Sequence, residues 1–423
     1  MSVEGGVRAI DKPPDAAMIP LRVAGRSTNK KGDGSLAWLR ERNRDRVIGV
    51  LRTLGRTSQA DIARTTGLSR TTVSTLVAEL KESGRVFEVD AKAPDGRGGR
   101  PGVQLVLQHP SRAVVGIDFG HSHVQVAVAD LNHTVLAERR RDLDVNNRAA
   151  DALDASALMV DEVLAEAGIE RAAVICAGIG IPGPVNRALG TVGSATILPG
   201  WIGLRIAYEM EGRLGLRVEI ENDANCGALA EMTWGAGREC SNFTYIKAAT
   251  GIGAGLVIDG RLLRGASGTA GEIGHTTLDG AGALCYCGNR GCLETLASGP
   301  AILQLVGQGR SEALTLARVI ELAADGDIRC RRAISDAGRE IGVAVAGLCN
   351  LINPERVIIG GAMSRAGDLL LGPIRESIRR HAVLAAADRV DVVPAVFVER
   401  AELLGSLALA IRRAKPATIS QNL

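Results

Sequence analysis

The chain of 423 residues has 50 Lys+Arg against 47 Asp+Glu, a net charge of +3, 46% hydrophobic residues, 23% charged residues and only 2% aromatics. Those proportions describe a soluble globular protein long enough for two or three domains with sizeable cores. No apolar run reaches the roughly 18 residues of a membrane span. The first 35 residues lack the apolar stretch of a secretory signal, so a cytoplasmic location is expected.

The charge is unevenly placed. Residues 1–110 hold 19 Lys+Arg against 12 Asp+Glu, a surplus of 7, and the remainder holds 31 against 35, a deficit of 4. A basic front end on a mildly acidic body points to a polyanionic partner for the front. Residues 1–35, rich in Gly, Pro, Lys and Arg, read as a disordered basic tail.

Residues 36–110 read as a winged helix-turn-helix. Leu36, Leu39, Val47, Val50, Leu51 and Leu54 have mostly helical spacing. In "SQADIARTTGLSRTTVSTLVAELKESG", Ser58 is placed to cap a helix with Asp61 favouring its amino end. Gly67 supplies the freedom for a tight turn. Ser69 caps a second helix with an inward stripe of Val73, Leu76, Val77 and Leu80, ended by Gly84. That helix offers Ser69, Arg70, Thr71, Ser74 and Thr75 to a major groove. Strands Arg85–Val89 and Val103–Leu107 flank a wing loop, "DGRGGRPG", whose Arg97 and Arg100 suit phosphates or a minor groove. Thr66 stands where an apolar residue is usual. A small helical domain without DNA is the alternative, and the basic surplus counts against it.

The body, residues 111–423, contains one device twice. Residues 113–139 and 242–263 each read as three short strands around glycine turns, followed by helices. This implies a duplicated α/β fold with a cleft between its halves. Two glycine turns across such a cleft can aim backbone N–H groups at one polyphosphate. The first turn is "GIDFGHSH" (116–123), with Asp118 and Gly120; the second is "TGIGAG" (250–255), with Thr250, Gly251, Gly253 and Gly255. At 121 a histidine places a Cβ where glycine's backbone freedom is expected, so the first turn should cradle phosphate poorly. Gly360 and Gly361 in "VIIGGAMS" either pack on an adenine-ribose or simply end a strand.

"VEIENDANCGALAE" (218–231) takes a strand into a helix with Asn222 and Asp223 at its start. They either cap the helix or supply a fixed carboxylate able to accept a sugar hydroxyl's proton. Glu272 and His275 in "GEIGH", with Glu294, add groups that match a sugar's hydroxyls. Of eight cysteines, five (Cys176, Cys226, Cys240, Cys330, Cys349) lie among small apolar residues and read as buried thiols, so no disulfide framework is expected. Cys285, Cys287 and Cys292 in "CYCGNRGC", with His275 upstream, suit a tetrahedral, structural Zn2+.

Together, "GIDFG", "GIPGPV", "ILPGW", "ENDAN", "TGIGAGLVIDG", "GEIGH", "CYCGNRGCLE" and "VIIGGAM" resemble the ROK family (repressor, open reading frame, kinase) within the actin and hexokinase superfold, over about residues 111–411. The winged helix resembles that of the family's transcriptional regulators. The resemblance implies a two-lobed, actin/hexokinase-like body with a duplicated βββαβα plan. Its small lobe would span about 111–240, its large lobe about 241–400, with a C-terminal helix at about 400–414. It implies Asp223 as base and Asn222, Asp223, Glu272, His275 and Glu294 as sugar contacts. His275, Cys285, Cys287 and Cys292 would hold zinc; Asp118, Gly120 and Thr250–Gly255 would face phosphate, and Gly360 and Gly361 the adenosine. Two departures stand out. The kinases' Asp-x-Gly-Gly-Thr-Lys is Asp118-Phe119-Gly120-His121-Ser122-His123 here, and Ile197 stands where sugar kinases commonly carry asparagine.

The expected function is a sugar-responsive DNA-binding regulator of the repressor type, acting on carbohydrate-metabolism genes. It would work as a homodimer or homotetramer on operator DNA, with a sugar or sugar phosphate in the cleft. The alternative is an ATP- and Mg2+-dependent hexose or N-acetylhexosamine kinase that carries a DNA-binding domain.

Overall fold

The computed structural model describes residues 40, 43–44, 46–51, 56–82, 86–90, 103–107, 112–192, 197–310 and 313–414. The expected tail (1–35), Gly84 and the wing loop with Arg97 and Arg100 lie outside them. The chain divides into two units, Met1–His109 and Pro110–Leu423.

In the first unit, helical residues 46–51 bury Val47, Ile48 and Leu51. Helix α1 (Gln59–Thr66) begins at Ser58, whose Oγ accepts the Asp61 N–H at 3.2 Å, and ends at Gly67 in the left-handed region, φ +68°. A side chain there would be strained, so the turn needs glycine. Ser69 Oγ accepts the Thr72 N–H at 3.1 Å at the start of α2 (Arg70–Glu82), which buries Val73, Leu76, Val77 and Leu80. Thr66 is buried after all: its Oγ1 donates to the Ile62 carbonyl at 2.7 Å, so the hydroxyl is satisfied within the helix. Strands β1 (Val86–Asp90) and β2 (Val103–Leu107) pair antiparallel. Thr57 adds a bridge to Leu105 that the sequence pattern did not reveal.

The second unit holds two five-stranded sheets with one plan. In the first, β3 (Ala113–Phe119), β4 (His123–Asp130) and β5 (Val135–Asp142) form an antiparallel meander. After α3 (Ala149–Ala167), β6 (Val174–Ile181) joins β3 in parallel. The small ribbon β7 (Val185–Asn186) and β8 (Thr191–Val192) and helix α4 (Ile206–Leu214) follow, before β9 (Arg217–Asn222) completes the order β5-β4-β3-β6-β9. Helix α5 (Asp223–Thr233) leads to the second meander, β10 (Phe243–Ala248), β11 (Ile252–Ile258) and β12 (Arg261–Leu263). Helices α6 (Leu293–Ala297), α7 (Gly299–Gly307), α8 (Leu316–Ala324) and α9 (Ile328–Ile352) precede β13 (Arg356–Gly360). Helices α10 (Asp368–His381) and α11 (Leu384–Ala387) precede β14 (Asp391–Pro394), giving β12-β11-β10-β13-β14. The described residues end on α12 (Ala401–Ala414).

The sheets exchange helices. Helix α5, which follows the last strand of the first sheet, packs on β10 and β11 of the second, whereas α12 returns to β3 and β6 of the first. The two helices also pack on each other, so each sheet carries the other half's helix on one face. None of the described helices is long and apolar enough to cross a membrane.

Two expectations need correction. Gly253 and Gly255 are not in a turn: they lie on β11, facing Ala224 and Ala228 of α5, with a Cβ at Gly255 falling 2.5 Å from the Ala228 Cβ. Glycine is needed at 255 for strand-to-helix packing. Cys240, read as buried, is half-exposed; Cys176, Cys226, Cys330 and Cys349 are buried.

Candidate functional site

Asn222 ends β9 and caps α5: its Oδ1 accepts the Asn225 N–H at 3.1 Å, and its Nδ2 donates to the Gly183 carbonyl at 3.0 Å. Asp223 opens the helix, with Oδ1 accepting the Ala224 N–H at 2.7 Å. Its Oδ2 accepts from Lys247 Nζ at 2.8 Å. Lys247 escaped sequence analysis. It lies on β10 between the fully buried Ile246 and Ala248, and a lysine in so apolar a strand signals a buried partner. Glu402, on α12, places Oε1 3.1 Å from the same nitrogen. Burial alone would favour the neutral amine, but Asp223, Glu402 and Asp118 hold the ammonium charged, above the ordinary lysine range. Burial pushes the Glu402 carboxyl up, and Lys247 opposes that shift.

Behind this group, buried Glu221 accepts from Arg264 Nε at 2.6 Å and from Asn225 Nδ2 at 3.0 Å. Strand β9, helix α5 and the segment after β12 are thereby tied together.

The first glycine turn closes between Gly120 and His123, where the Gly120 N–H donates to the His123 carbonyl at 2.9 Å. Neither Gly120 nor His121 has positive φ, so position 121 does not call on glycine's freedom and the expected backbone conflict is absent. The obstruction comes from side chains. His123 lies over Gly120, where a Cβ would overlap the imidazole, and its Nε2 sits 3.2 Å from Oδ2 of buried Asp118. His121 turns aside, with Nδ1 2.8 Å from Asn146 Oδ1.

On the second turn Thr250 is exposed, and Gly251 adjoins the Glu294 carboxylate. Glu294 Oε2 accepts the Ile252 N–H at 3.2 Å. Glu272 lies near Asp223 and Glu294; burial and those two charges raise its pKa to about 7. A carboxyl titrating near neutrality can donate to a sugar hydroxyl as well as accept from it. Gly361, with φ +76°, leaves no room for a Cβ against the Ala248 carbonyl, and Gly360 packs on Tyr245. Packing therefore accounts for both glycines at the end of β13. Ile197 packs on Gly183, beside the Asn222 contact.

His275, Cys285, Cys287 and Cys292 form a compact cluster whose four ligand atoms all lie within 4.8 Å of one another. The Cys287 and Cys292 sulfurs are 3.7 Å apart, and Cys285 Sγ is 3.7 Å from His275 Nδ1. A tetrahedron with Zn–S bonds near 2.3 Å has S···S edges of about 3.8 Å, so these donors fit the metal. His275 Nε2 points away, 3.3 Å from Tyr286 Oη and 3.8 Å from Glu272 Oε2. The ring can thus ligate through Nδ1 while Nε2 is held by Tyr286.

On the first unit, Ser69, Arg70, Thr71, Ser74 and Thr75 are all exposed along α2. They share that helix with the four residues buried in its core, so one face is anchored and the other is free for a groove.

A model of the ROK family matches residues 114–413, and a domain of unknown function (DUF7343) matches residues 41–91. The chain is 32% identical to the xylose repressor of Caldicellulosiruptor bescii over 84% of its own length and 91% of that protein. It is 33% identical to the glucokinase of Thermotoga maritima over 71% of its own length and 98% of the glucokinase. A crystal structure of a ROK family transcriptional regulator, a homologue of the Escherichia coli MLC protein, superposes with a TM-score of 0.64 at 29% identity, covering 88% of this chain and 95% of that one.

Proposed function

The chain belongs to the ROK family, and on that premise we propose that it is a sugar-responsive DNA-binding repressor of carbohydrate-metabolism genes. One observation carries this reading: similarity to the xylose repressor runs beyond the body into the basic first unit, whereas similarity to the glucokinase covers roughly the body alone. Helix α2 supplies the groove-reading face, with Ser69, Arg70, Thr71, Ser74 and Thr75, and the wing adds Arg97 and Arg100. Two copies, as a homodimer or homotetramer, would set two such helices on two half-sites. Such a protein acts on the nucleoid, in the cytoplasm.

Asn222, Asp223, Glu272, His275 and Glu294 are the proposed sugar contacts. His275, Cys285, Cys287 and Cys292 would hold a structural zinc that fixes Glu272 and Glu294 from either side. Sugar binding would shift the lobes, which the exchanged helices α5 and α12 couple. A coupling of about 1–3 kcal/mol changes operator occupancy by about 5- to 150-fold. The test is fluorescence anisotropy on the DNA upstream of the protein's own gene, with xylose, glucose and N-acetylglucosamine added in turn. Specific binding that one sugar weakens supports the reading, and binding indifferent to all three removes the ligand switch.

Two variants sharpen the test. Arg70→Ala should weaken operator binding by about 1–3 kcal/mol, about 5- to 150-fold, without moving the melting temperature. Asp223→Ala should abolish the rise in melting temperature caused by the effective sugar while operator binding without sugar persists. If Asp223→Ala keeps the sugar's effect, Asp223 is not a contact.

The kinase reading rests on the match of Asp118, Thr250 and Gly251 to the family's phosphate positions and of Asp223 to its base, and would place ATP and Mg2+ opposite the sugar. Release of ADP on incubation with glucose and ATP, lost in Asp223→Ala, would promote it.

A further inference from the structure

Lys247 is the feature that neither reading uses. Its ammonium lies among carboxylates at 2.8 Å (Asp223) and 3.1 Å (Glu402), with Asp118 a third negative group in the same field. The side chain is four-fifths buried, at 20% exposure. Its contact with Glu402 is an ion pair without hydrogen-bond geometry, while that with Asp223 is a direct hydrogen bond. The three acids come from three distant elements, β3, α5 and α12, so the fold itself gathers the charge. Converging carboxylate oxygens of this kind are the usual surroundings of a divalent ion in a phosphoryl-transfer cleft. Here the space between two of them is filled by a cation of the chain's own. The ammonium neutralises part of the charge, and its covalent tether means it cannot be exchanged or removed. His123 is the other side chain on Asp118, with Nε2 3.2 Å from Oδ2.

We propose that Lys247 is a built-in cation that takes the place of a divalent metal between Asp118, Asp223 and Glu402. This deepens the regulator reading and rests on it only for the identity of the ligand. One oxygen of Asp223 is held by the Ala224 N–H and the other by Lys247. Both oxygens are therefore engaged and the side chain is fixed, which places it to orient a hydroxyl.

Mn2+ alone is the probe. Oxygen donors attract it and the thiolate cluster does not. The full chain and its Lys247→Met variant are titrated with Mn2+, and the free ion is read by electron paramagnetic resonance. The wild type should leave the free signal unchanged, whereas Lys247→Met should take up about one equivalent at least tenfold more tightly. Adding Glu402→Gln to that variant should reverse most of the gain. Wild-type protein that takes up Mn2+ equally well overturns the proposal, and so does a folded Lys247→Met protein that takes up none. If Lys247→Met does not fold, Lys247→Gln, whose amide still donates to Asp223, is judged by the same two outcomes. Failure of the regulator reading would appear in the operator titrations and leave this one unchanged.

Discussion

Cys287→Ser lowers the melting temperature of the body by about 10 °C and removes one equivalent of zinc, although it changes one atom on an exposed side chain. An exposed substitution away from special features moves stability by about 0.5 kcal/mol or less. Cys287 is exposed and belongs to the four-donor cluster, so a large loss can come only through the metal. Structural zinc contributes its binding energy to folding, and in a domain of this size a shift of 10 °C corresponds to about 6 kcal/mol.

The loss should spread to the sugar contacts. Leu278 and Asp279 donate N–H groups to the Gly291 carbonyl, and Leu293 donates to Thr276, so the segment after Glu272 is laced to the one before Glu294. Without metal, burial holds the Cys285 and Cys292 thiols protonated, Cys292 up to about 12. Zinc uptake therefore releases protons and tightens as pH rises. Differential scanning fluorimetry with zinc analysis by mass spectrometry checks the prediction. A Cys287→Ser protein that melts with the wild type would show that the cluster needs no metal.

What the sequence makes legible is whatever depends on near neighbours. Capping by Ser58 and Ser69, the turn at Gly67 and the buried stripe of α2 follow from spacing and are found as expected. The two meanders show because apolar strands separated by glycine turns need little outside help to be recognised. The metal cluster shows because its donors fall within one short loop and its upstream turn. Lys247 and Glu402 do not, because they meet only through the exchange of α5 and α12 between the sheets. Lys247 does stand out as a charge in a buried strand, but nothing near it in the chain names its partner. The first turn misleads for a related reason. The histidine at 121 draws attention as a missing glycine, while His123, at the usual lysine position, is the residue that covers Gly120 and engages Asp118.

The exchange of helices also sets where the fold tolerates least. Helices α5 and α12 cross with their backbones in contact at Gly405, where a Cβ would overlap the Cys226 carbonyl. A methyl group directed at backbone cannot be accommodated by a rotamer change, so the helices must separate. Gly405→Ala should therefore destabilise the body by about 3–5 kcal/mol, above the usual range for overpacking, because neither partner can yield. Gly212, in α4, makes the control: a Cβ there meets nothing, and the residue is exposed. Gly212→Ala should stabilise by up to about 1 kcal/mol, since alanine loses less backbone entropy in a helix. Urea unfolding midpoints for the two variants should thus move in opposite directions. Because α5 begins with Asp223 and α12 carries Glu402, separating the helices at Gly405 also pulls apart the carboxylates around Lys247. A folded Gly405→Ala protein should accordingly lose its sugar response, even at low temperature where the fold survives. Equal midpoints for Gly405→Ala and wild type would mean that the helices do not cross this closely in solution.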